Sequence, residues 1–200
     1  MSPQTWWFLT RAAGIVAWLM LTASVLWGIV LASGAFPEHR RPAWLLDAHR
    51  WLGALTVGFL SLHIGALVAD SYVHFGLADI TIPFASDWKP AAVAAGVLAM
   101  WSLLAVQVSS LLRKRISKRT WRAIHLSSYP TFLLVSLHGV FAGTDATQPL
   151  YLWTTGATVA AVVGLTVHRL ATHGSRPRRA ARPVRTSSSP PVGNARVGPR

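Results

Sequence analysis

The sequence predicts an all-α integral membrane protein: a bundle of five transmembrane helices followed by a disordered, basic C-terminal tail. Three observations predict it. The chain is 52% hydrophobic and only 12% charged, about half the charged fraction of a soluble domain. Five apolar stretches, residues 6–31, 44–69, 91–112, 124–142 and 150–170, each approach the roughly 20 residues that a helix needs to cross hydrocarbon. Basic residues fall on alternate connections between these stretches, as the positive-inside bias requires of a multi-pass protein.

The first stretch follows MSPQTWWFLTR, which has a single Arg, and its apolar run covers 12–32. A cleaved secretory signal has a core of about 7–15 residues, so a retained helix is expected. The second stretch opens beside Arg40, Arg41 and Arg50. The connection between the third and fourth holds Arg113, Lys114, Arg115, Lys118, Arg119 and Arg122, and the fifth ends in Arg169 and the Arg-rich tail. The opposite connections hold Asp70, Asp79, Asp87 and Asp145, with Lys89 as their one base. The expected location is the cell membrane, with the N-terminus outside and the C-terminus cytoplasmic. Residues 1–173 form the predicted membrane domain. Residues 174–200 are rich in Arg, Pro and Ser, cannot bury a core and are expected to be a disordered cytoplasmic tail. Their arginines suit anionic headgroups of membrane lipid.

The net charge of +13 flanks apolar spans instead of forming a patch on a soluble surface, so nucleic acid is not an expected partner. The chain has no Cys. Disulfides and thiolate ligands are therefore excluded, and a metal must be held by His, a carboxylate or a cofactor.

Four of the eight histidines lie in apolar segments as two matched pairs: His49 and His63, 14 residues apart, and His125 and His138, 13 apart. Histidine inside a span is costly and usually faces a functional path. At 1.5 Å per residue these intervals are about 21 Å and about 20 Å. Spans two and four run the same way, so two levels are expected, His49 opposite His125 and His63 opposite His138. Fourteen residues return an ideal helix to within about 40° of one face, whereas thirteen leave a mismatch of about 140°. Pro130 lies between His125 and His138 and removes a backbone hydrogen bond, so a kink there is the expected correction. Paired imidazoles are haem axial ligands, and two such levels would make an electron wire across the membrane. Arg50 and Arg122 flank the first level. They suit haem propionates, and equally they suit ordinary positive-inside flanks.

The segments DAHRWLGALTVGFLSLHIGALVAD and WRAIHLSSYPTFLLVSLHGVFAGTD resemble the haem helices of the ferric reductase-like transmembrane domain superfamily. That group includes ferric reductases, NADPH oxidases and the haem subunit of the methionine sulfoxide reductase system. The chain looks like a stand-alone bacterial member. The resemblance covers roughly residues 6–170 and rests on the intervals between His49 and His63 and between His125 and His138. It implies two b-type haems on these four histidines, with electrons passing from the cytoplasmic face to the outer face. Eukaryotic members carry a flavin and nicotinamide domain after the spans, whereas here only the basic tail follows, and no GxGxxG loop is found. The expected electron donor is thus a separate flavoprotein, a quinol, or a flavin whose site the sequence does not locate.

The connection over 70–89, DSYVHFGLADITIPFASDWK, has two readings. Asp70 and His74, with Asp79 and Asp87, offer ligands to an external acceptor such as ferric iron. The preferred reading is an interfacial lid with Tyr72 and Trp88 as anchors at the headgroups. His39, His168 and His173 read as solvated. Three functions stay open: an electron conduit to an external acceptor, acting as a ferric reductase-like oxidoreductase; a non-catalytic cytochrome subunit of a larger redox complex; and a haem-free membrane protein with structural histidines.

Overall fold

A computed structural model describes residues 3–33, 42–70 and 75–174. The elements run α1 (Pro3–Ser33), α2 (Ala43–Ala69), α3 (Leu77–Thr81), α4 (Pro90–Leu111), α5 (Lys118–Leu126), α6 (Ser128–Ala142), a 3-10 turn (Thr144–Thr147) and α7 (Pro149–Gly174). The protein is an all-α membrane protein. Four helices, Gln4–Ser33, Ala43–Ala69, Pro90–Leu111 and Pro149–Ala171, are each long and apolar enough to cross a bilayer. His39, Arg40, Arg41, Tyr72, His74 and the tail from 175 onward lie outside the described residues.

The fourth expected span differs from the others: it is divided, with α5 and α6 meeting at Ser127. The cause is Pro130. It has no N–H for the carbonyl of Leu126, and its ring crowds that carbonyl. Ser127 absorbs the break by a tighter bond, its N–H donating to the Ile124 carbonyl at 3.0 Å, before Thr131 N–H resumes the helical pattern onto Ser127 at 2.9 Å. Upstream, α5 starts at a proper cap, where Ser117 Oγ accepts from the Thr120 N–H at 3.0 Å. His125 and His138 thus sit on two helical pieces, and the angular mismatch of one straight helix does not apply.

Packing is strongest between α1 and α2 and between α4 and α6, with α1 also against α6 and α7. The central cluster takes Leu21, Val25 and Ile29 from α1, Leu103 from α4, Phe132 from α6 and Val162 from α7. A buried bond from Trp18 Nε1 to Ser136 Oγ at 3.0 Å ties α1 to α6. Large apolar side chains face outward, Trp51 at 69% exposure and Trp153 at 78% among them, as suits lipid contact. The described part of the 70–89 connection closes down on α4. Phe75 packs with Val93 and Val97, Trp88 meets the Phe75 ring edge-on, and Trp101 Nε1 donates to the Thr81 carbonyl at 2.9 Å.

Candidate functional site

The divided span brings the four histidines together as two levels. The rings of His49 and His125 lie 6.0 Å apart, centroid to centroid, at 75°. Those of His63 and His138 lie 6.4 Å apart at 87°. All four histidines are half-buried by surface area, and the His63 and His138 rings are the more deeply enclosed pair.

What aims the rings is found on the helices behind them. His63 Nδ1 is 2.8 Å from the Thr10 carbonyl of α1, and His138 Nδ1 is 2.8 Å from the Ala92 carbonyl of α4. A carbonyl only accepts, so each Nδ1 carries the proton and donates it. Each Nε2 keeps its lone pair for a ligand. His49 Nδ1 faces Ser24 Oγ of α1 at a longer 3.4 Å, and His125 Nδ1 is buried without a partner.

A glycine lies four residues after each of these three acceptors: Gly14 after Thr10, Gly28 after Ser24 and Gly96 after Ala92. In a helix that residue sits one turn above the acceptor on the same face. A Cβ on Gly14 would stand 2.9 Å from His63 Nδ1, one on Gly96 2.7 Å from His138 Nδ1, and one on Gly28 3.3 Å from His49 Cε1. The absent side chains are the notches into which the imidazoles fit. Gly14 and Gly28 repeat the 14-residue interval of His49 and His63 on a helix running the opposite way, a signal visible in the sequence that histidine spacing alone misses.

The ring separations test whether an ion fits between them. A first-row metal–imidazole bond is about 2.0–2.1 Å and the ring centroid lies about 1.1 Å behind its nitrogen, so two rings on one ion stand about 6.3 Å apart. Both levels meet that separation. A soft or carboxylate metal centre has no comparable support, since no cluster of three or more His, Asp or Glu occurs among the described residues.

The surroundings of the two levels differ. Trp121 stacks on His125, centroids 4.9 Å apart and 20° between planes. The Arg113 guanidinium lies over the Trp121 ring, 4.7 Å from its centroid. Arg50 Nη1 binds Asp47 Oδ1 at 2.9 Å on the surface, and Arg122 is exposed. Near His63, Arg11 lies 4.2 Å over the Trp7 ring, and its Nε donates to Asp145 Oδ2 at 3.0 Å. This ion pair between α1 and the 3-10 turn is absent from any reading of local sequence, because 134 residues separate its partners. Asp70 is buried at the end of α2, Asp79 caps the Gly76 N–H, and His74 lies outside the described residues.

Fold and site together define a helical membrane protein that holds two facing imidazole pairs in register. Residues 13–136 match the family described as ferric reductase like transmembrane component, and the chain belongs to that family. Membership supports a membrane redox role of cytochrome type. The match includes His49, His63 and His125 and ends two residues before His138. No curated protein and no solved structure matches the chain.

Proposed function

We propose that the chain is a transmembrane di-haem b-type cytochrome that carries electrons from a cytoplasmic-side donor to an acceptor on the outer face, such as ferric iron, oxygen or a redox partner. The observation that carries this reading is the pair of ring separations, 6.0 and 6.4 Å, each suited to one six-coordinate ion between two imidazoles. His49 and His125 would hold one haem and His63 and His138 the other, non-covalently, since there is no Cys for a thioether link. When bound, each haem supplies a one-electron carrier within the hydrocarbon layer.

The protein's own groups do the rest. The carbonyls of Thr10 and Ala92 hold the Nδ1 protons of His63 and His138 and so orient Nε2. Arg50 and Arg122 are available to propionates, Arg50 by leaving Asp47. The basic connection over 113–122 is assigned to the cytoplasmic side by its charge, where it would attract an acidic donor protein or an anionic flavin.

The test is a reduced-minus-oxidised spectrum of the purified protein with a haemochromogen assay. Two low-spin b-type haems per chain are expected. A preparation made with ample haem supply that binds none would overturn the reading.

A further inference from the structure

We infer that the two imidazole levels are electronically unequal, the His49/His125 level holding iron at a higher reduction potential than the His63/His138 level, with Arg113 the residue that sets much of the difference. The inference rests on the di-haem reading above and deepens it.

Two independent features act in the same direction. At the His63/His138 level both Nδ1–H groups donate to main-chain carbonyls at 2.8 Å. Such bonds raise the basicity of the ligating nitrogen and favour the ferric ion. At the other level His49 meets Ser24 of α1, through its main chain and at a longer 3.4 Å through its Oγ, and His125 has no Nδ1 partner. With one of its two ligands lacking an acceptor, this level has the weaker base in His125 and favours the ferrous ion.

Charge is the second feature. Arg113 stands over Trp121, which is stacked on His125, so a cation is fixed one aromatic ring away from this ligand. A positive charge there favours the state with one electron more. Arg122 is exposed on the same side, and Arg50 is offset by Asp47. At the His63/His138 level, Arg11 is offset by Asp145. Lys89 is spent on the last carbonyls of α6, its Nζ 2.9 Å from that of Phe141, where it answers the negative helix end. Burial acts the other way, since the His63 and His138 rings are the more deeply enclosed pair and a less polar surrounding favours the less charged ferrous state. The ligand and charge features outweigh it. Each level takes up one electron, ferric to ferrous iron, with no bond made or broken and the Nδ1 protons retained. At equilibrium a single electron therefore rests on the His49/His125 level.

The experiment is spectroelectrochemistry of the full chain in lipid nanodiscs with dithionite as reductant, with haem counted in the same preparation. Two one-electron waves are expected. His63→Ala should leave the higher wave and His49→Ala the lower. Arg113→Gln should move only the higher wave downward, changing the ferrous-to-ferric ratio at fixed potential on the order of threefold to tenfold, and Arg113→Lys should restore it. If the histidine variants lose both haems, the Arg113 pair alone decides the assignment. Two haems with coincident waves, a reversed order, or a higher wave that ignores Arg113→Gln would overturn the inference while leaving the di-haem reading intact. Absence of haem would overturn both.

Discussion

Each histidine acts through two nitrogens, and the one turned away from the facing ring decides what the other can do. His63 and His138 give their Nδ1 protons to carbonyls that no substitution of side chain can remove. The histidines themselves are therefore the sensitive residues at this level. His63→Ala or His138→Ala is expected to lower the haemochromogen count from two haems to one, and His49→Ala or His125→Ala to do the same at the other level. Ser136 makes a contrast. Its buried bond from Trp18 is structural, and interhelical bonds of this kind in membranes contribute about 0.6 kcal/mol, rarely above about 1.7. Ser136→Ala should lower thermal stability slightly, read by the melting of the haem absorbance, with both haems kept.

At the scale of the helices, the glycine notches and the α5–α6 break do the positioning. Gly96→Ala would put a methyl group 2.7 Å from His138 Nδ1, and Gly14→Ala one 2.9 Å from His63 Nδ1, so each should deplete the His63/His138 haem. Gly28→Ala meets His49 at 3.3 Å and should have a smaller effect on the other level. Gly58 and Gly65 on α2 have open space at the same position, so their Ala variants should keep both haems. A Gly96→Ala protein with full haem content would show that the notch is not what seats the ring. The break at Ser127 gives a parallel expectation. Pro130→Ala restores a donor to the Leu126 carbonyl and lets the helix run straight, which would rotate His125 away from His49. The optical spectrum should then report weakened bis-histidine ligation at that level alone.

The whole molecule is polarised in charge, and its predictions follow from that polarity. A reporter fused after Arg176 is expected on the cytoplasmic side and one inserted near Asp145 on the outside. Accessibility of residues 113–122 from outside would invert the proposed electron path. The chain is also expected to need a separate donor. With NADPH or NADH alone, the absorbance of the purified protein should stay that of the oxidised form, since no phosphate-cradling loop occurs in its 200 residues. Dithionite or a flavin reductase should reduce it, and a ferric chelate should reoxidise it. Reduction by an acidic donor protein should slow as salt is raised, because exposed cations are screened over about 8–10 Å at physiological salt. Rapid reduction by NADPH in a rigorously pure preparation would reveal a nucleotide site.

Helix positions were legible from composition, since a chain in hydrocarbon must satisfy its backbone within each span, and α1, α2, α4 and α7 begin and end within a few residues of the apolar stretches. The four histidines were legible as well, because polar residues inside spans are costly and their intervals repeat. The break at Pro130 was legible too, but how far it turns His125 and His138 toward their partners only the tertiary structure decided. One straight helix would have pointed them apart, and the strength of the break at Pro130 depends on the packing that surrounds it. Tertiary structure also decided the Nδ1 partners, since the interval of Gly14 and Gly28 marks a face of α1 in sequence but not which main-chain or hydroxyl group on that face meets an imidazole. A backbone carbonyl becomes a specific acceptor only when another helix brings an imidazole to it and a glycine leaves the way open. The Arg11–Asp145 pair and the Arg113–Trp121–His125 stack are likewise products of packing, because contacts between distant segments exist only once the helices have closed on one another.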